Sequence, residues 1–278
     1  MKPDTPLQIS DFSDPLLTSA IVENLAEMIL LRRHWERAEV HDDPDLLWCL
    51  TDIPSPYLNL AIKARLSAEQ VDSKIEAILE QCRLRQVPLL WGIDPTSQPA
   101  ELPAHLLAHG FVHTGDSPCM AMDLNQIAGQ IPMPAGLTIR QLEAAEDIQT
   151  FFKIVYVLNE AMPTLVGEAF ADLHTHLSAY RSAHSIQYFM GYLDGEPIAT
   201  SMFFLGGGVA GIYYVATLPP ARGRGIGTAI TLSALHAARE MGYPIAVLQS
   251  SEMGYNLYRR LGFQDIFRAG LYYWAGAV

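Results

Sequence analysis

The chain has 278 residues, half of them hydrophobic and 17% charged, a composition that folds and excludes a disordered tail. A formal net charge of −12 counts against nucleic acid, because phosphate contacts need clustered basic groups. No apolar run approaches the about 18 residues of a membrane helix.

Residues 1–136 hold 9 Lys and Arg against 19 Asp and Glu, a net of −10, and residues 137–278 hold 9 against 11, a net of −2. Such a surface keeps a protein soluble or draws in cationic small molecules. MKPDTPLQISDFSD lacks the basic-then-apolar order of a signal peptide. Cys49, Cys82 and Cys119 are scattered without metal spacing, which suits a reducing cytoplasm.

LLWCL (46–50) and LNLAIKA (58–64) read as strands. AEQVDSKIEAILEQCRLR (68–85) reads as an amphipathic helix with Val71, Ile75, Ile78, Leu79 and Cys82 inward. A strand VPLLWGI (87–93), a helix around 100–109, Gly110-Phe111 and a strand near SPCMAMDL follow. At least two of Trp35, Trp48 and Trp91 belong in the core. NQIAGQIPMPAG (125–136), with two prolines and two glycines, marks the boundary.

Beyond it comes a strand, GLTIRQL, and then a helix DIQTFFKIVYVLNEAM opening at Asp147, whose Phe151, Ile154, Val155 and Leu158 share a face. A second helical stretch covers 168–182. Strands 185–193, 197–205 and 209–217 are joined by Asp194-Gly195 and Gly206-Gly207-Gly208 as hairpin turns. The next helix turns Ile226, Ile230, Ala234 and Ala237 inward. A buried strand IAVLQ (245–249), a short helix to Leu261 and FQDIFRAGLYYWAGA complete an order β-α-α-β-β-β-α-β-α-β, with room for one more strand or a dimer contact in the tail. LLAHGF (106–111) echoes YRRLGF (258–263), and both halves run helix, short strand, short helix, Gly-Phe, strand, as an old duplication would.

The chemistry concentrates in ARGRGIGTA (221–229), between a strand and a helix. A helix N-terminus offers free N–H donors and about half a positive charge, and glycines let an anion approach them. Arg222 and Arg224 add forked donors suited to phosphate. A phosphate or pyrophosphate seat and a mere glycine-rich turn with solvated arginines are the two readings. The Walker loop fails for want of a lysine after the last glycine, and the dinucleotide fingerprint fails on spacing.

Arg222-Gly-Arg-Gly225-Ile-Gly227 has the form Arg/Gln-x-x-Gly-x-Gly/Ala and in this setting resembles the coenzyme A loop of the GNAT superfamily of N-acetyltransferases. The resemblance covers roughly 137–278 and includes SEMGYNLYRRLGF (251–263). That block often reads Asn-x-x-Ala-x-x-x-Tyr-x-x-x-Gly-Phe in the family; here Ser251 and Gly254 replace Asn and Ala, while Tyr258, Gly262 and Phe263 match.

The resemblance implies an α/β fold with a mixed, mostly antiparallel twisted sheet flanked by helices, duplicated as a degenerate domain 1–130 without the loop and a second domain 137–278. It implies acetyl-CoA as co-substrate, no metal, an amine-bearing acceptor, no nucleic-acid or membrane partner, the cytoplasm, and a monomer or homodimer. The pyrophosphate would sit on the N–H groups of Gly223, Arg224, Gly225, Ile226, Gly227 and Thr228. Arg222 and Ser251 belong to the same cofactor site. Val215, Ala216 and Thr217 would bond the pantetheine arm, and an N–H near Val215 would polarise the thioester carbonyl. Tyr258 would protonate the departing thiolate, or else simply pack against the sheet.

Some relatives carry a catalytic glutamate where Gly211 stands, so the base stays open among Glu160, Glu168, Glu252, a water chain, or an acceptor arriving unprotonated. His174 and His176 point to different helix faces and make no metal pair. The apolar segment 156–182, with Met162 and Phe170, would select an acceptor with some hydrophobic surface. A coenzyme A-binding sensor or scaffold that no longer turns over, and a structural tandem without ligand, remain as alternatives.

Overall fold

The structure is a computed structural model that describes residues 9, 12, 15–127, 129–157, 164–180 and 185–276. Its first elements are α1 (Leu17–Leu30), β1 (Ala38–Asp43), β2 (Leu46–Thr51), β3 (Leu60–Ile62), α2 (Val71–Arg85), β4 (Leu89–Ile93), α3 (Leu102–Ala108) and β5 (Val112–Asp123). Then come β6 (Leu137–Leu142), α4 (Ala145–Val157), α5 (Thr164–Tyr180), β7 (Ile186–Leu193), β8 (Glu196–Gly206) and β9 (Val209–Thr217). The series closes with α6 (Ile226–Glu240), β10 (Ile245–Gln249), α7 (Glu252–Leu261) and β11 (Gln264–Trp274). From β6 onward this is the expected order. The tail forms one long strand, β11, and among the described residues no further strand follows it.

The chain folds into two compact units, and neither is continuous in sequence. The first combines Met1–Leu25 with Cys119–Ile266, the second Ala26–Pro118 with Phe267–Val278. In the first unit the strand order is β5-β10-β9-β8-β7-β6. The β7–β8 and β8–β9 connections are hairpins whose turn residues have positive φ, Asp194 at 52° with Gly195 at 92°, and Gly207 at 57° with Gly208 at 78°. That is the geometry Asp-Gly and Gly-Gly supply cheaply.

Alternate residues of these strands face opposite sides. Phe189, Phe203, Ala210 and Ile212 pack with Ile226, Ile230, Ala234 and Leu235 of α6. Ala238 is fully buried and Ala237 only partly so, because the inward stripe of α6 continues in steps of four. On the other face lie α4 and α5. There Phe151 and Phe152 are both fully buried while Val155 is half-buried, so the apolar stripe of α4 is wider than its periodicity suggests. Leu158, Glu160 and Met162 lie outside the described residues.

The second unit has strand order β1-β2-β3-β4-β11-β5. Its core joins Val71, Ile75, Ile78, Leu79 and Cys82 of α2, the five positions read as inward, to Trp48, Trp91, Tyr272 and Trp274. Trp35 is buried as well, and all three cysteines are buried and form no disulfide among the described residues. No described helix is long and apolar enough to cross a membrane.

The closing strands are exchanged between the halves of the chain. Residues 119–123 of β5 pair antiparallel with β10, Cys119 opposite Gln249, while 270–274 of β11 pair antiparallel with β4, Trp274 opposite Leu89. Each strand is launched by the same cap. Gly110 and Gly262 take positive φ, 85° and 106°, at the ends of α3 and α7. The following N–H reaches back five residues, Phe111 to Leu106 O (3.1 Å) and Phe263 to Tyr258 O (3.0 Å). Both phenylalanines are buried. The echo of Gly-Phe is therefore a repeated piece of structure, and in it Leu106 occupies the place of Tyr258.

Candidate active site

The site of the first unit is built by one strand that parts from its neighbour. β9 pairs in parallel with β10 only at Ala210↔Ala246 and Gly211↔Val247. From Ile212 to Thr217 it pairs, among the described residues, with β8 and not with β10. Along that stretch β9 also bulges. Thr200 pairs with Ala216 and Met202 with Tyr213, so Tyr214 and Val215 together face Ser201.

Tyr214 takes the left-handed conformation, φ 50°, uncommon for a residue with a Cβ, and Thr200 Oγ1 donates to its carbonyl at 2.8 Å. Val215, Ala216 and Thr217 are half-buried. Strand edge and bulge thus lie at the three positions read as the pantetheine track.

The loop follows directly. Gly223 and Gly225 have φ of 73° and 80°, Gly225 being the residue that opens α6. Among the described residues no backbone carbonyl accepts from the N–H groups of 223–228. They stand at the positive end of the dipole of a fifteen-residue helix, the place expected for the phosphate. Gly223 to Gly225 are exposed, Gly227 and Thr228 half-buried, and Ile226 points into the core. Arg224 is exposed. Arg222 Nε donates to the carbonyl of Thr217 at 3.0 Å, which braces the loop and occupies one acceptor of the strand edge. At Gly227 a Cβ would come within 3.1 Å of Leu257 Cδ1, so the glycine lets α7 approach α6.

α7 carries the other two residues. Ser251 is its N-cap, accepting at Oγ from the N–H of Gly254 at 3.2 Å. Its side chain therefore has a local task whatever else it does. Tyr258 is buried, lies edge-on to Phe263 with ring centroids 5.7 Å apart, and has no hydrogen-bond partner among the described residues. Burial pushes its hydroxyl up to about 12, so it stays protonated at neutral pH. Gly254, where the family pattern has alanine, has a local cause: a Cβ there would lie 2.8 Å from Tyr258 Cε2.

Gly211 has a cause too, and sequence reasoning missed it. A Cβ on Gly211 would sit 2.0 Å from Asn24 Oδ1 and 2.5 Å from Tyr213 Cε2. Asn24, on α1, is fully buried. Its Nδ2 donates to the carbonyls of Phe204 (3.2 Å), Gly206 (2.8 Å) and Val209 (3.2 Å), and its Oδ1 accepts from Tyr213 Oη at 2.7 Å. A side chain at this position would have to displace Asn24 and Tyr213 from their hydrogen bonds. Glu168 and Glu252, the described alternatives, are exposed carboxylates.

On the α4–α5 side an aromatic cluster holds a buried histidine. His174 Nδ1 lies 2.7 Å from Tyr188 Oη and its Nε2 3.3 Å from Tyr214 Oη. Phe170 is buried within the same cluster, 5.1 Å from Tyr156 and 6.3 Å from Tyr214 between centroids. His176 is exposed on the opposite face, as its spacing requires.

Residues 152–263 match the model of the acetyltransferase (GNAT) family. No curated protein matches the chain. Among solved structures, a GCN5-related N-acetyltransferase from Kribbella flavida is 21% identical with a TM-score of 0.68, covering 91% of this chain and 96% of that one. A GCN5-related N-acetyltransferase from Sphaerobacter thermophilus is 19% identical at 0.62, covering 89% and 84%. A tandem GNAT protein from the clavulanic acid biosynthesis pathway is 14% identical at 0.62, covering 96% and 97%. At these identities the likeness is one of fold. Residues 152–263 are therefore a domain of the acetyltransferase (GNAT) family, in a chain with the mixed α/β fold of GNAT N-acetyltransferases.

Proposed function

We propose that the chain transfers an acetyl group from acetyl-CoA to an amine by direct attack in a ternary complex. One observation carries the reading: a bulged strand stretch (212–217) that does not pair with β10 runs straight into six backbone N–H groups at a helix start (223–228) that have no backbone acceptor among the described residues. A long ligand with an acyl end and a diphosphate end has a hydrogen-bonding partner along that whole path. The diphosphate takes the N–H seat with Arg224 beside it, the pantetheine lies along Val215–Thr217, and the N–H at Val215 stabilises the oxyanion. Tyr258 gives its proton to the thiolate as the C–S bond breaks.

Residues before the loop domain are, in this reading, a degenerate copy. Leu106 stands in the place of Tyr258, and the segment before α2 reads ARLSAEQ, without the glycines of the seat. A second domain without phenol or loop supports a fold and not a second reaction.

Calorimetry with acetyl-CoA, followed by thiol release against a panel of amines, tests the proposal. Binding that weakens about tenfold in Arg224→Ala, together with thiol release, supports it. Binding without release favours a sensor. No binding at all returns the loop to a glycine-rich turn.

A further inference from the structure

With no side chain at Gly211 and Asn24 and Tyr213 filling the space beside it, the proton of the attacking amine needs another acceptor. We propose that Tyr214 and His174 form that acceptor, a two-membered relay on the α5 side of β9; the inference rests on the acetyltransferase reading above. Tyr214 is the bulge residue immediately before Val215, whose N–H faces the reacting carbonyl in that reading. His174 is 2% exposed and so has no bulk water to discharge into. Its two ring nitrogens lie between two phenols, Tyr188 Oη at 2.7 Å and Tyr214 Oη at 3.3 Å. Of the three residues, only Tyr214 is part-exposed.

A neutral imidazole has one N–H and one lone pair, so one phenol donates to it while the other accepts. With Nδ1–H donated to Tyr188, Nε2 turns its lone pair to the hydroxyl of Tyr214. As the C–N bond forms, the amine gives a proton to Tyr214 Oη while the phenolic proton of Tyr214 passes to His174 Nε2. The C–S bond breaks and Tyr258 supplies the proton of the thiol. His174 later returns its proton through Tyr214 to solvent, and Tyr258 regains one there. The transient imidazolium has the Phe152 ring beside it, centroids 4.5 Å apart, a contact that eases the charge inside an apolar cluster. In this scheme Tyr214 touches the acceptor and His174 acts through it. The left-handed φ of 50° at Tyr214 is the strain accepted where the bulge turns that phenol toward His174.

The test compares Tyr214→Phe and His174→Gln with the wild type in acetyl-CoA calorimetry and in thiol release. Two acceptor types are used: a primary alkylamine, and a weakly basic amine whose addition intermediate sheds its proton readily to water. Phenylalanine keeps the ring, and glutamine can bond both phenols but cannot take a proton. The expected result is unchanged acetyl-CoA affinity, kcat for the alkylamine lower by about a hundredfold with KM little moved, and a much smaller loss with the weakly basic amine. An unchanged kcat in Tyr214→Phe, or equal losses with both amines, overturns the relay and leaves the acetyltransferase reading standing. A wild type that binds acetyl-CoA and releases no thiol with any amine overturns that reading, and the relay with it.

Discussion

The amide oxygen of Asn24 lies 2.0 Å from where a Cβ on Gly211 would be, although the two residues are far apart in sequence. One buried side chain thus fills the space a strand residue would use. It also ties the β8–β9 hairpin to α1 through three carbonyls. Gly211→Glu is expected to unfold the unit rather than to install a base, with a loss of about 3 kcal/mol or more. Asn24→Ala, which strands Tyr213 Oη and the carbonyls, is expected to cost about 3 kcal/mol. Denaturant melts of both single variants and the double variant check this: because they share one site, the costs will not add.

Gly225 and Gly195 offer a matched pair. Both have positive φ, 80° and 92°, so alanine strains the backbone at either position by about 1 kcal/mol. Only Gly225 belongs to the N–H seat. Gly195→Ala should lower the melting temperature and leave acetyl-CoA affinity alone, whereas Gly225→Ala should lower both. Calorimetry beside thermal melts separates the two effects.

Tyr258 makes a prediction at high pH. Burial raises its hydroxyl from about 10 to about 12. The folded state therefore holds the proton more tightly than the unfolded chain. The stability linked to this group is complete below pH 10 and is lost as pH climbs from 10 through 12. Tyr258→Phe should flatten the stability curve in that window and lower thiol release by about a hundredfold at neutral pH. Melts across the window and tyrosinate absorbance check the first half, and an amine assay the second.

Gly254→Ala sets two effects against each other. Alanine in a helix gains about 1 kcal/mol over glycine, while its Cβ would press on Tyr258 Cε2 at 2.8 Å. The ring end can yield more easily than the backbone. The expected outcome is a melting temperature changed by no more than a few degrees together with thiol release down about tenfold, as the phenol shifts from its place. A variant as active as the wild type would show that the phenol position is not critical.

Local chemistry was legible in the sequence wherever a few adjacent residues decide the structure. Asp194-Gly195 dictated its hairpin, the inward stripe of α2 followed its period, and Gly223, Gly225 and Arg222 marked the loop. α1 escaped notice because LTSAIVENLAEMIL is apolar on nearly every side, which blurs a helical period, and AEVHDD of β1 carries too many charges to show alternation. Phe152 and Ala238 were missed at the edges of otherwise correct stripes. The contact of Asn24 with Gly211 and the meeting of His174 with Tyr214 depend on tertiary folding, and nothing near either residue announces them. The bulge escaped for the same reason, since Tyr214 is not a residue that favours positive φ.

The traded strands carry a consequence for biosynthesis. β4 leaves the ribosome long before its partner in β11 exists, and β10 long after β5 has been made. Neither sheet can be finished while only the earlier part of the chain has emerged: the first waits for β10, and the second waits with an open border for β11. Severing the backbone near the Pro-rich segment 125–136 would produce two pieces that each contain one strand belonging to the other's sheet. Such pieces could regain order only by finding one another, which is a reason for nature to keep them on a single thread.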